Sequence, residues 1–173
     1  MRDKNDKGLK ISWAPWRIEY IISEKPDECI FCIPKTPGDD KNSLILYRGK
    51  EVFVIMNKYP YNNGHLMVVP YQHASTLDEL QPSTHAEMMS LTSYCTACLK
   101  EAFRPEGFNI GMNIGSAAGA GIKEHLHIHI VPRWAGDTNF MTVLGEVRVI
   151  PEHIIETYNK LYPLFNEKKM DIS

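Results

Sequence analysis

The stretch GIKEHLHIHIVPRW, residues 121–134, sets His125, His127 and His129 at every second position with Leu126, Ile128 and Ile130 between them. Strict alternation is the period of a β-strand, in which positions i, i+2 and i+4 share one face. The aliphatic residues are expected to enter the core and hold the register, with the imidazoles ranged together about 6.6 Å apart. A single histidine on a sheet is ordinary packing. Three in alternation with large aliphatics point to chemistry.

Outward from this strand, FNIGMNI (108–114) alternates in the same way and is expected to pair with it across the glycine-rich loop GSAAGAG (115–121). LILY (44–47) and VFVIM (52–56) flank RGKE as a hairpin, and HLMVVP (65–70) follows the turn YPYNNG as a further strand. Ser75-x-x-Asp78 is expected to cap a short helical turn ending near Leu80, and Thr84-x-x-Glu87 has the form of a capping box opening a longer helix. That helix carries Met88, Leu91, Cys95, Cys98, Leu99 and Ala102 as an apolar stripe and stops before RPEG (104–107). Further on, AGDTN (135–139) reads as a loop, VRVI (147–150) as another strand, and Pro151 as the first residue of a C-terminal helix. Strands, a long helix, strands and a helix, joined by short connections, predict an α+β domain with a mainly antiparallel sheet.

The chain has 173 residues, 43% of them hydrophobic and 23% charged, as expected for one globular domain with its own core. A net charge of −2 argues against wrapping nucleic acid but leaves room for a small anion held by local donors. No apolar run approaches the ~18 residues of a membrane span. The start MRDKNDKGLK has no apolar core behind it, so no signal peptide is expected and the cytoplasm is the expected compartment. Residues 1–28 read as an arm whose Trp13, Trp16 and Tyr20 pack on the body or on a partner subunit. The cysteines form two C-x-x-C pairs, Cys29/Cys32 and Cys95/Cys98, a spacing that favours metal binding or packing over disulfides here. Cys95 and Cys98 fall on the helical stripe, where thiols act as small hydrophobes.

Two chemistries suit the histidine row. A strand H-x-H pair can hold a catalytic zinc, or a neutral imidazole can attack phosphorus while its neighbours manage charge. The glycine-rich loop favours the second, because it can bring backbone N–H groups against phosphate oxygens, with Asn113 and Ser116 as added donors. The loop matches neither the Walker pattern nor the full dinucleotide fingerprint.

HLHIHIV resembles the signature of the histidine triad (HIT) family of nucleotide hydrolases and nucleotidyl transferases. The resemblance runs from about Cys29 to Asn139 and takes in CIFC, MNK…GHLMVVP and the N-x-G-S stretch. WAPWR, HIVPRW and GDTNF look like the branch that contains bacterial diadenosine tetraphosphate phosphorylases. It implies a HIT-like fold, a five-stranded sheet with one long helix and a C-terminal helix, divided as arm 1–28, HIT domain 29–142 and extension 143–173. It implies His127 as nucleophile at the α-phosphorus of an adenine nucleotide, with His129 balancing the phosphate charge and water or phosphate as acceptor. Asn57 takes the ribose position, and Asn113 and Ser116 the phosphate positions. Relatives carry a glutamine and a small hydroxyl residue before the triad; Gly121 and Ile122 stand there instead, so the leaving-group contact falls to the loop backbone or to Trp134. Several bacterial members complete the first cysteine pair with two histidines, which correspond to His73 and His125. A structural zinc on Cys29, Cys32, His73 and His125 is therefore expected, with His125 as a support to the catalytic pair and no organic cofactor. His65 is left between sheet packing and ligand binding. A homodimer is expected, with no nucleic-acid or membrane partner. The competing readings are a HIT hydrolase of another nucleoside phosphate or phosphoramidate, a zinc hydrolase on the H-x-H pair, and a nucleotide-binding module without turnover.

Overall fold

A computed structural model describes residues 29–137 and 152–167. Its strands are β1 (Ile45–Arg48), β2 (Val52–Met56), β3 (Leu66–Pro70), β4 (Gly107–Gly111) and β5 (Ile128–Arg133); its helices are α1 (Pro82–Phe103) and α2 (Ile154–Asn166). The strands form one antiparallel sheet in the order β1-β2-β3-β5-β4. This is the expected α+β architecture, including the pairing of the FNIGMNI strand with the histidine strand. The 1–28 arm, the VRVI segment and Pro151 lie outside the described residues.

Both faces of the central strands are covered, which is why VFVIM and LMVVP read as continuous apolar runs. One face packs Val54, Leu66, Val68, Ile128 and Ile130 against Leu91, Cys95, Cys98 and Leu99 of α1 and Tyr158, Leu161 and Phe165 of α2. Complete burial of a side chain such as Leu99 is worth about 1.5–3 kcal/mol. The other face carries a smaller cluster of Phe31, Ile45, Phe53, Met67 and Val69. His129 pairs with Met67 across β3 and with Gly111 across β4, so it emerges among the second set. No helix among the described residues is long and apolar enough to cross a membrane.

The histidine row departs from its expected form. Only His129 belongs to a strand, since β5 begins at Ile128. Pro70 ends β3 and has no N–H to continue the ladder. Its carbonyl instead lies 2.8 Å from His125 Nε2, while Leu126 donates its N–H to Ala74. Leu126, Ile128 and Ile130 are buried as expected. The imidazoles are not evenly ranged: the His127 and His129 ring centroids lie 4.5 Å apart, edge to face.

The helix starts also differ from their sequence signals. α1 opens at Pro82 with Gln81 as its N-cap, and Thr84 lies buried inside the helix. A proline at the first position needs no donor, so the helix starts without the expected box. Glu87 instead accepts the backbone N–H groups of Lys50 (2.7 Å) and Glu51 (2.8 Å), clamping the β1–β2 turn. Ser75 does not cap the turn at Leu77–Glu79; its hydroxyl and that of Thr76 donate to Glu79. α2 begins at Ile154 with His153 as its cap, Nδ1 accepting from Ile155 N–H.

Replacing Glu87 by alanine removes the charged acceptor of two backbone donors, one exposed and one half-buried, at the hairpin turn. Urea unfolding of Glu87→Ala is expected to show a loss of about 1–3 kcal/mol; an unchanged midpoint would remove the clamp from the account.

Candidate active site

Backbone donors and acceptors set the state of each imidazole. A carbonyl oxygen only accepts, so the 2.9 Å contact from His127 Nδ1 to the His125 carbonyl places a proton on Nδ1. In the neutral ring Nε2 then holds the lone pair. Burial lowers the His127 pKa below its ordinary value against the opposing pull of this hydrogen bond, which favours that neutral ring.

His129 is set the opposite way. The backbone N–H of Tyr61 donates to His65 Nδ1 (3.1 Å), so the proton of a neutral His65 sits on Nε2. His65 Nε2 lies 3.0 Å from His129 Nδ1 and donates to it, which leaves His129 with its own proton on Nε2. Asn57 supports the chain: Oδ1 accepts from Tyr59 N–H (2.9 Å), which turns Nδ2 toward His65 Nδ1 (3.3 Å). His65 is held in place by the turn before it. Gly64 has φ of +71°, and a Cβ there would meet Leu99 Cδ2 at 3.0 Å, so the close approach of the turn to α1 requires glycine.

His127 and His129 line a cavity of about 470 Å³. Asn57, Lys58, Tyr61 and Gly121 also line it, and Ile30, Phe31, Ile33, Ile55 and Met67 give it apolar walls. Of its described lining residues, Lys58 is the formal cation. A lone-pair nitrogen beside an N–H donor, over an apolar trough, suits attack on an electrophile whose oxygens need a proton donor.

Next to this cavity, Cys29, Cys32, His73 and His125 place their ligand atoms within 4.8 Å of one another. Cys29 Sγ is 3.3 Å from His125 Nδ1, and Cys32 Sγ is 3.2 Å from His73 Nδ1. Donation of the His125 Nε2 proton to Pro70 leaves Nδ1 as the lone-pair nitrogen facing the thiols. Burial lowers the His125 pKa, in keeping with a neutral ligand ring. Two thiols, His125 Nδ1 and a ring nitrogen of His73 fit a closed tetrahedral zinc. Phe31, between the cysteines, packs on His125 and His127 at centroid distances of 5.6 and 5.1 Å.

The structure thus brings His127, His129, Asn57 and Gly121 to one cavity and gathers the expected metal quartet beside it. Asn113 and Ser116 lie in the segment after β4 and Trp134 just after β5; none of these lines the cavity. Cys95 and Cys98 are buried in the helical core, as expected. The sequence reading left His65 open and missed Phe31, Tyr61 and Lys58. A lone histidine before a strand carries no periodicity, and only cross-strand register shows that it meets His129.

The HIT domain family matches residues 39–136. An AP-4-A phosphorylase of Mycobacterium tuberculosis is 41% identical over 159 residues, covering 86% of this chain and 80% of that protein. The chain belongs to the HIT family. An asymmetrical bis(5'-nucleosyl)-tetraphosphatase of Schizosaccharomyces pombe is 30% identical over 55% of this chain and 52% of its own length. The crystal structure of a zinc-bound histidine triad family protein from Mycobacterium smegmatis superposes with a TM-score of 0.61 at 26% identity, over 79% of this chain and 91% of that one. Likeness to a phosphorylase over most of its length makes this HIT protein an enzyme of the nucleotide hydrolase and phosphorylase class.

Imidazole ¹⁵N shifts should report an Nδ1–H tautomer at His127 and an Nε2–H tautomer at His129. His65→Phe should release the second and leave the first. The reverse pair in the native protein would contradict the hydrogen-bond chain.

Proposed function

We propose that this enzyme cleaves a dinucleoside polyphosphate of the diadenosine tetraphosphate kind at an α-phosphorus, through a nucleotidyl-histidine on His127. The observation that carries the reading is the pair of opposed tautomers: His127 offers a lone pair where His129 offers a proton. In the first step a bond forms from His127 Nε2 to phosphorus, and the bond to the leaving polyphosphate oxygen breaks with its electron pair. His129 Nε2–H steadies the charge on the phosphoryl oxygens. In the second step an acceptor oxygen attacks phosphorus, any proton it carries passing to solvent, and the N–P bond returns its pair to His127. Splitting the displacement in this way lets one positioned nucleophile serve both halves.

Asn57 binds the ribose hydroxyls in this reading, and the apolar trough takes the base. Gly121 approaches the phosphate by its backbone. The N-x-G-S match supports Asn113 and Ser116 as phosphate contacts, and Trp134 takes the leaving-group role on the resemblance of HIVPRW. Inorganic phosphate is the acceptor, yielding ATP and ADP; likeness to the Mycobacterium tuberculosis phosphorylase supports this. Water is the alternative acceptor, supported by likeness to the Schizosaccharomyces pombe tetraphosphatase.

Cys29, Cys32, His73 and His125 hold a structural zinc. Its contribution is a covalent-strength tie between CIFC and the segment leading to His127, and four protein ligands leave no open position for catalysis. This weighs against a zinc hydrolase on the H-x-H pair. A homodimer is part of the same reading, supported by exposed Ile110 on edge strand β4 and by exposed Ile114 just beyond it. The division into arm, HIT domain and extension also belongs to this reading.

Incubation with α-³²P-labelled diadenosine tetraphosphate and phosphate should give an acid-labile protein adduct, then ATP and ADP; AMP would identify water as acceptor. His127→Ala is expected to keep the circular-dichroism spectrum and bind nucleotide but form no adduct. A labelled adduct in that variant would overturn the assignment. Metal analysis of the purified protein should find about one zinc per chain, lost in Cys29→Ser; zinc retained there would exclude this ligand set.

A further inference from the structure

We propose that Asn42 is a specificity-determining residue that reads the six-position of a purine base through its side-chain oxygen, selecting adenine over hypoxanthine. The inference rests on the nucleotide reading of the same cavity and goes beyond it to the base.

The sheet order sets the scale. His129 lies on β5, while Leu44 and Ile45 line the far end of the cavity at β1, with β3 and β2 between. Three inter-strand steps of about 4.8 Å make roughly 14 Å, enough to lay out a nucleoside monophosphate with its phosphorus at the histidines. The base then rests near β1, against Ile33, Ile45 and Ile55. Such a surface holds any flat heterocycle and distinguishes none, so selectivity has to come from polar side chains at that end. Asn42 and Ser43 are polar lining residues on the segment leading into β1, with Asn57 and Lys58 of the neighbouring strand's end beside them.

Asn42 is oriented before any ligand arrives. Its backbone N–H and its Nδ2 both donate to the Asp39 carboxylate, at 3.4 and 2.5 Å. With the amide nitrogen tied there, the side chain offers Oδ1 as an acceptor. The turn that carries it is firmly held. Ile45 N–H donates to the Asp40 carbonyl (2.8 Å), and Arg48 binds the Asp40 carboxylate and the Pro34 carbonyl. Leu44 takes φ of 59°, a left-handed conformation unusual for leucine, and its carbonyl accepts from Met56 N–H at 2.9 Å. An acceptor held there matches the exocyclic amine of adenine. Hypoxanthine puts a carbonyl oxygen at the same place, and oxygen would face oxygen.

The test measures AMP and IMP binding to the full chain by titration calorimetry, for native protein, Asn42→Ala and Asp39→Ala. Native protein should favour AMP by about 10-fold, the worth of one well-placed hydrogen bond. Asn42→Ala should compress the ratio to about 2-fold, through weaker AMP binding and unchanged IMP binding. Asp39→Ala frees the amide to turn, and the ratio should fall by improved IMP binding. An unchanged ratio in Asn42→Ala, or equal affinities in native protein, would overturn the proposal and leave the cleavage reading intact. Failure of native protein to bind either nucleotide would overturn both.

Discussion

One hydrogen bond organises the site: His127 Nδ1 to the His125 carbonyl, 2.9 Å. It decides which ring nitrogen carries the proton, and so leaves the lone pair on the other. A backbone carbonyl suits this task because it cannot exchange roles; it accepts and never donates. The peptide that provides it belongs to a residue whose own ring is held by Pro70 on one side and the Cys29/Cys32/His73 cluster on the other. The carbonyl is fixed from outside the cavity, and the His127 ring inherits that placement.

The second imidazole depends on a different support. Tyr61 N–H, His65 and His129 form a chain in which every link has its polarity set by the backbone donor at the far end. Adjacent histidines thereby reach opposite protonation patterns without a charged residue between them. A row of identical side chains would otherwise give equivalent groups. Here the inequality comes from what lies behind each ring.

The fold has the same economy. The central strands are buried on both faces, with α1 and α2 on one side and the histidine-lined trough on the other. The CIFC stretch serves two neighbours: its cysteines make half of the quartet with His73 and His125, while Ile30 and Phe31 wall the cavity. Any movement of that stretch is felt in both places.

The alternation of HLHIHIV was enough to put its aliphatics inward and to predict the strand from Ile128 onward, though not the break at His125–His127, and the apolar runs and helical stripe were enough for the α+β order, because side-chain period is a local property of backbone geometry. The capping box at Thr84 failed because a proline two residues earlier opened the helix, and local signals do not reveal which start wins. Period alone does not tell the three rings apart, and their expected roles came only with the family resemblance. His125, His127 and His129 are alike on paper, yet Pro70 ends the ladder early and turns the first toward the cysteines, while cross-strand register sets the third against His65. Residue types and their period are written along the chain; proton positions follow from donors and acceptors brought from elsewhere, so only the tertiary structure decided them.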